Sequence, residues 1–458
     1  MKSSVQDPIV ALATPSGRGA IAVIRVSGGR PETLLSAAIP PKKLPFPPRS
    51  PVLTEFCDFQ GAALDHVLVT WYPAPGSYTG EDVIEISCHG SPALTTAILD
   101  QMVSAGARLA EPGEFTRRAF LNGKLDLTQA EAVRDLIESH TIFQARVASQ
   151  QLEGQLSRRL QPLKEQMVDA LSHMETSLEF VEDEVVPAAR EELLAQLKNV
   201  EHQLKDLEET FQIGRLVRDG VEAVIVGATN SGKSSIFNSL LGSSRALVTG
   251  IAGTTRDVIS EHIDLRGVPM RLLDTAGIRS SADEVEELGI EKALSHLKEA
   301  DIVLFVLDQN IEFGAFEKKI WADVEGRPHI IVLNKNDLPL RMRVPDFIVH
   351  GLSNIVSVSA LTGAGMENLR EAIWEEISGS KDEVERDRLF LTNLRHRDLI
   401  RRARQLLKKG IGAYADGMSE EYPIYDFRRA LTALGAITGE VSVDDILDRI
   451  FSTFCIGK

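Results

Sequence analysis

The densest chemistry in the chain lies in eight residues. Gly227-Ala228-Thr229-Asn230-Ser231-Gly232-Lys233-Ser234 sets two glycines, a lysine and a hydroxyl at the spacing G-x-x-x-x-G-K-S. Glycines let the backbone curl until its N–H groups converge on phosphate oxygens. The lysine offers positive charge to the terminal phosphates, and the Ser234 hydroxyl can ligate Mg²⁺. An apolar β-branched run, VEAVIV, precedes the loop, and SIFNSLLG follows as a helix. A helix N-terminus adds partial positive charge where an anion would sit. The phosphate-binding candidates are Asn230, Ser231, Gly232, Lys233, Ser234 and Ser235.

Further segments make the ligand specific. Asp274-Thr275-Ala276-Gly277 ends a strand, where Asp274 can hold Mg²⁺ through water and the Gly277 N–H can reach a γ-phosphate. Asn334-Lys335-Asn336-Asp337 ends another, where Asp337 can accept both the N1–H and the exocyclic amine of guanine. Adenine offers no such pair, and a buried acceptor left unpaired costs about 1–3 kcal/mol. Ser359-Ala360-Leu361 can offer a backbone N–H to the guanine O6. Each motif is weak alone. Together, in this order and each at a strand's carboxyl end, they define a guanine-nucleotide site at a sheet crevice, and they resemble the translation-factor-related class of GTPases. Between the phosphate loop's helix and the next strand, Thr249-Gly250-Ile251-Ala252 leads into Gly253-Thr254-Thr255-Arg256-Asp257, where a switch loop belongs, with Thr255 as second Mg²⁺ ligand.

The attacking water needs a handler. Ile278 stands where many GTPases carry a glutamine, and its side chain forms no hydrogen bond. Arg256 and Arg279 are candidates for a cis arginine. The Asn230 side chain with backbone carbonyls of Thr249, Gly250 and Ile251 could instead coordinate a monovalent cation near the phosphates. The acidic run Asp283-Glu284-Val285-Glu286 could bond the water, or could simply be a helix N-terminus that favours negative charge.

These loops need a scaffold. The 458 residues suggest about three domains at roughly 150 residues each. Residues 1–122 alternate strand-like runs with turns and read as an α+β domain; seven prolines between Pro31 and Pro51 read as a connector rather than a core element. Over 123–216 the period becomes helical. One stripe runs Leu152, Leu156, Leu160, Leu163, Met167, Leu171, Met174, Leu178, and another Leu193, Leu197, Val200, Leu204, Leu207, Phe211. Both read as helix-packing core, with Pro162 starting or kinking a helix. Residues 217–378 alternate apolar strands with helices, the pattern of a mostly parallel α/β sheet, and 379–458 return to helices. The expected fold is therefore multidomain: an α+β N-terminal domain, an all-α domain in two stretches, and an α/β P-loop domain inserted between them.

Bulk charge excludes a chain that coats nucleic acid: 50 Lys plus Arg against 66 Asp plus Glu leaves −16. Three scattered cysteines, Cys57, Cys88 and Cys455, suggest neither a disulfide framework nor a zinc site. No unbroken apolar stretch of membrane-spanning length and no signal-peptide pattern is visible, so a cytoplasmic protein is expected. A local basic stripe, Arg397, Arg401, Arg404 and Lys408, shares one helix face and is a candidate for nucleic-acid phosphates, weighed against a solvated face.

From end to end the chain resembles the MnmE (TrmE) family of tRNA-modification GTPases. The resemblance is carried by GRGAIAVIRVSG, GEDVIEISCHG, EPGEFTRRAFLNGKLDLTQAEAVRDLI, VTGIAGTTRD, DTAGIR, DEVEELGIEKA, NKND and the carboxyl-terminal FCIGK. It implies a folate-binding N-terminal domain that dimerises, a helical domain and an inserted G domain. It also implies K⁺-stimulated GTP hydrolysis through G-domain dimerisation, with K⁺ held by Asn230, Thr249, Ile251 and Thr254, Mg²⁺ by Ser234 and Thr255, and Glu286 as the catalytic carboxylate. The implied partner is the FAD-dependent MnmG (GidA), with which the family adds an aminomethyl-type group to carbon 5 of the wobble uridine in certain tRNAs. The implied one-carbon source is a tetrahydrofolate derivative in a 5-formyl or methylene form, its positions matching Arg25, Glu85, Lys124 and Lys458. Ala228-Thr229 departs from the Arg-Pro expected before Asn230. Cys455 matches the cysteine of the family's terminal motif, where a buried structural thiol is one expectation. The alternative readings are a ribosome-assembly GTPase switch, which would carry an RNA-binding appendage in place of these flanks, and a folate-dependent one-carbon transferase with an accessory GTPase.

Overall fold

The structure, a computed structural model, describes residues 7–179, 187–243, 259–274, 297, 300–345, 354–379, 388–441 and 444–458. The chain groups into two units, one of residues 1–134, 151–181 and 424–458, the other of 135–150 and 182–423.

In the first unit, β1 (Ile9–Leu12), β2 (Ile21–Ser27), β3 (Val52–Cys57), β4 (Ala63–Tyr72), β5 (Val83–His89) and β6 (Arg108–Leu109) form one sheet in the order β3-β4-β5-β2-β1-β6. Its pairs are antiparallel except β1–β6. Strand period decides the faces. Ala22, Ile24 and Val26 of β2 and Ile84, Ile86 and Cys88 of β5 enter the core, while Arg25 and Glu85, opposite each other in register, share the other face. The proline-rich stretch is more than a connector: it holds a short helix, Pro31–Leu35, and a turn of 3₁₀ helix, Pro41–Lys43. Leu34, Leu35, Ala38, Ile39 and Phe46 from it join the core cluster. Proline density marks where regular hydrogen bonding stops, but the apolar side chains between the prolines still leave water.

Of the first leucine stripe, Leu152 ends the helix Ile142–Leu152 and Leu178 is exposed rather than core, whereas Leu156, Leu160, Leu163, Met167, Leu171 and Met174 are buried on the helix Gln155–Glu179. Pro162 sits inside that helix rather than starting it. At the chain's end the helix Asp444–Phe451 and Phe454 pack with Leu127, Ala130 and Val133. Gly113, at φ +68, lets the backbone there approach closely: a Cβ would meet the Phe451 carbonyl at 2.8 Å.

The second unit is built on β7 (Val221–Gly227), β8 (Ile259–Leu265), β9 (Val268–Asp274), β10 (Ile302–Asp308), β11 (His329–Asn334) and β12 (Ile355–Ser357), ordered β12-β11-β10-β7-β9-β8. All pairs are parallel except β8–β9, a hairpin. β10 and β11 are buried on both faces, as strands covered by helices must be. The hairpin tip docks on the helix Ile142–Leu152: Thr141 Oγ1 donates to the Gly267 carbonyl at 2.6 Å, and a Cβ on Gly267 would meet Phe143 at 2.8 Å.

The second leucine stripe is also core, on the helix Pro187–Glu209 and at Phe211. The helix Leu394–Ala415 packs against it, and three residues of the basic stripe have partners within the fold, while Lys408 is exposed. Arg401 pairs with Glu208 at 2.7 Å, Arg404 pairs with Glu201 at 3.0 Å and also with Glu208, and Arg397 pairs with Asp398 and lies 4.6 Å from the Phe211 ring centroid. Burial alone would raise the Glu208 carboxyl, yet hydrogen bonds from Arg401 and Arg404 outweigh it and hold it below the usual carboxylate range. Arg397, Arg401 and Arg404 are thus engaged within the fold, and the acidic partners of Arg401 and Arg404 lie some 200 residues earlier in the sequence, beyond the reach of any local pattern.

Candidate functional site

The phosphate loop leaves β7 at Gly227 and enters the helix Lys233–Ser243. A Cβ on Gly227 would run into the Val306 carbonyl, and one on Gly232, at φ +95, into Asn334 Nδ2. Asn230 adopts φ +64, the left-handed region that asparagine tolerates better than most residues. Lys233 Nζ donates to the carbonyls of Gly227 at 3.0 Å and Ala228 at 2.9 Å, folded over its own loop. Ser231 is buried, and Ser234 and Ser235 are exposed at the helix start, where a hydroxyl can meet a cation.

Asn334 ties the loops together. Only 2% exposed, it donates from Nδ2 to the Ser231 carbonyl at 2.9 Å and accepts the Ala360 N–H on Oδ1 at 3.2 Å. The Ser359 hydroxyl donates to Asp337 Oδ1 at 2.6 Å and accepts the Thr362 N–H, which orients the Asp337 carboxylate. Leu361 is 86% exposed beside it. The Ala360 N–H, one candidate for the guanine O6, is therefore engaged by Asn334 here. Asp274 closes β9 in register with Ile225, one strand from the phosphate loop. Thr249, Gly250, Ile251, Ala252, Gly253, Thr254, Thr255, Thr275, Ala276, Gly277 and Glu286 lie outside the described residues. Of the K⁺ set only Asn230 is described, and of the Mg²⁺ pair only Ser234.

Sequence reasoning missed Asp308. At the carboxyl end of β10 and 7% exposed, it forms an ion pair with Lys335 Nζ at 2.5 Å. Its only local signal was an acid ending an apolar strand.

The positions matched to folate fall in the first unit. Arg25 meets Glu85 Oε1 through Nε at 3.0 Å and Nη2 at 2.8 Å. Its Nη1 reaches the Gly457 carbonyl at 3.5 Å, and its guanidinium lies 5.7 Å from the Tyr78 ring centroid. The last residue joins this cluster: the Phe115 N–H donates to the Lys458 carbonyl at 3.2 Å. Burial, and then the charge of Arg25, push the Lys458 ammonium below the ordinary lysine range, while Glu85 acts against them. The donor set suits a folate, whose glutamate tail needs cations and whose pterin needs a carboxylate acceptor. Lys124, the fourth matched position, is exposed and donates to the Pro75 carbonyl at 3.0 Å. Cys455 is exposed rather than buried; the buried thiol is Cys88, which burial and the nearby Asp65 push up to about 11.

No helix among the described residues is long and apolar enough to cross a membrane. Family models described as "GTP-binding protein TrmE N-terminus" and "MnmE helical domain" match residues 8–124 and 127–455. The tRNA modification GTPase MnmE of Aquifex aeolicus is 42% identical over 99% of this chain and 100% of its own length. That of Koribacter versatilis is 43% identical, with the same coverage. Among solved structures, Aquifex aeolicus Era bound to GDP.AlF4- is 27% identical over 41% of this chain and 66% of its own, with a TM-score of 0.28. On the full-length relatives and the helical-domain match, the chain belongs to the MnmE (TrmE) family of tRNA modification GTPases.

Proposed function

We propose that this chain hydrolyses GTP and couples the hydrolysis to tRNA modification. With an FAD-dependent partner of the MnmG (GidA) kind, it forms the 5-carboxymethylaminomethyl or aminomethyl group on the wobble uridine of certain tRNAs. The observation that carries the reading is the meeting of the phosphate loop, Asn334, Asp337 and Ser359 at the carboxyl ends of one parallel sheet. Relatives named as tRNA modification GTPases align with it end to end.

Arriving phosphates compete for Lys233, drawing its ammonium from the Gly227 and Ala228 carbonyls onto the β and γ oxygens. Asp337, oriented by Ser359, accepts the guanine N1–H and amine. Ser234 and Thr255 would hold Mg²⁺, and Asn230, Thr249, Ile251 and Thr254 would hold K⁺. These cations supply positive charge where the phosphoryl bond breaks. Glu286 would orient the water. Arg25, Glu85 and Lys458, with Lys124, would hold the tetrahydrofolate derivative that supplies the one-carbon unit. The domain boundaries that go with this reading are 1–122, 123–216, 217–378 and 379–458. The working form is a cytoplasmic homodimer, whose paired G domains complete the hydrolytic site.

GTP turnover is expected to be faster in K⁺ than in Na⁺, and Asn230→Ala should erase the difference; equal rates in both salts end the K⁺ assignment. Mass spectrometry of tRNA from a strain lacking the gene should show the wobble uridine unmodified; an intact modification would refute the tRNA role.

A further inference from the structure

Tyr78 stands at the charge cluster of the first unit, and the scheme above gives it no task. It lies on the loop between β4 and β5, which is strapped at three points. Arg49 Nη2 donates to the Gly76 carbonyl at 2.6 Å, Lys124 Nζ to the Pro75 carbonyl at 3.0 Å, and Asn122 Nδ2 to the Thr79 carbonyl at 2.7 Å. The Tyr78 hydroxyl shares a hydrogen bond of 2.9 Å with Thr116 Oγ1 on the helix Glu114–Leu121. Both ends of the side chain are therefore held. Burial raises the Tyr78 phenol above its ordinary range, against the Thr116 bond and the charge of Arg25, so the ring is neutral near pH 7.

This fixed ring lies against Arg25. The guanidinium carbon is 5.7 Å from the Tyr78 ring centroid and 5.9 Å from that of Phe115, which is fully buried. A cation within about 6 Å of an aromatic face is drawn to it, and a planar guanidinium is oriented as well as attracted. Arg25 commits Nε and Nη2 to Glu85 and Nη1 to the Gly457 carbonyl, which uses three of its five N–H groups. The other two meet no partner among the described residues.

We propose that Tyr78 is a positioning residue for reduced-folate binding: its ring face, with that of Phe115, sets the plane of the Arg25 guanidinium and so aims the two uncommitted N–H groups at an acceptor oxygen of the ligand. This rests on the folate reading given above. Without the ring, Arg25 keeps Glu85 but samples other planes, and that freedom must be lost when the ligand binds.

Calorimetric titration with 5-formyltetrahydrofolate tests the assignment. Tyr78→Leu should bind it about tenfold more weakly, with GDP affinity unchanged; wild-type folate affinity would overturn the proposal. Tyr78→Phe keeps the ring and loses the Thr116 bond, and should stay within about threefold of wild type. A loss as large as that of the leucine variant would show that the hydroxyl acts rather than the ring, and would overturn the proposal. In an Arg25→Lys background, whose ammonium has no plane to set, Tyr78→Leu should cost less than about twofold. The same tenfold loss there would mean that Tyr78 only supports its loop, which also overturns it. Should Tyr78→Leu fold poorly, phenylalanines of increasing ring fluorination at position 78 keep the shape while draining negative charge from the ring face. Folate affinity should fall stepwise along that series, and a flat series would overturn the proposal. Wild-type protein that binds no 5-formyltetrahydrofolate would remove the folate reading itself, a result visible before any variant is made.

Discussion

The loops at the carboxyl ends of β7, β10 and β11 and the cluster of Arg25, Glu85 and Lys458 both gather polar groups beside a sheet, but by different means. The first arises from a single topological fact: parallel strands end together, so the loops leaving them converge whatever their side chains. Its braces are largely backbone atoms, such as the Ser231 carbonyl and the Ala360 N–H held by one asparagine. The second arises from charge. Arg25 and Glu85 meet because β2 and β5 pair in that register, and Lys458 arrives because the chain's last turn docks on Gly113 and Phe115. A site built where loops converge on one asparagine does not tolerate a bulky atom in the wrong place. A charge-built site also responds to pH and to loss of either sign.

Gly232→Ala should produce the largest effect. Its new Cβ would collide with Asn334 Nδ2 at a φ that L-residues avoid, separating the phosphate and base loops. GDP affinity should fall by more than about a hundredfold, the order of two such penalties of 1–3 kcal/mol, with reduced-folate binding unchanged. Normal GDP binding would show that the brace is dispensable. Gly457→Ala is the parallel break in the other site. Its Cβ, at φ +96, would run into the Leu12 carbonyl and lift the terminal turn. Reduced-folate affinity, measured by calorimetry, should fall about tenfold while GDP binding stays the same.

The third effect is a pH dependence confined to the charge-built site. Because burial and Arg25 lower the folded Lys458 ammonium, folding is disfavoured by its charge at low pH and gains as pH rises through that lowered value. Ligand attraction runs the other way: affinity for an anionic folate tail should weaken over the same window, below the ordinary lysine range, and Lys458→Met should flatten the profile. A profile that is unchanged in that variant removes Lys458 from the site. The smallest effect is expected from ion pairs with no proposed ligand. Glu208→Gln should lower stability by about 1 kcal/mol near neutral pH, seen as a small drop in melting temperature. Since the folded Glu208 titrates below its unfolded value, its contribution is present above the ordinary carboxylate range and lost as pH falls through the lower folded value. The variant and wild type should therefore converge in acid; a constant gap would mean that the loss is packing rather than charge.

Much of this was legible in the residues. Apolar, β-branched runs located β2, β4 and β7 through β12, because strands covered by helices read as short, nearly continuous apolar stretches. The phosphate and base motifs were readable because their chemistry is local: a few consecutive residues contain all the donors needed. The same locality hid the partners of the helix Leu394–Ala415, where Arg401 and Arg404 meet Glu201 and Glu208. It misled in the proline-rich stretch, whose Leu35 and Phe46 are core despite their neighbours.

By itself, then, the sequence determined the loops that can hold a guanine nucleotide, the strands that carry them and the stripes that must be buried, because each depends on spacing along the chain. Only the tertiary structure decided which charges are satisfied and by what: Asp308 with Lys335, Glu208 with Arg401 and Arg404, and Lys458 beside Arg25. Electrostatic energy depends on distance through space and on exclusion of water, and neither is fixed until segments far apart in the chain are brought into contact.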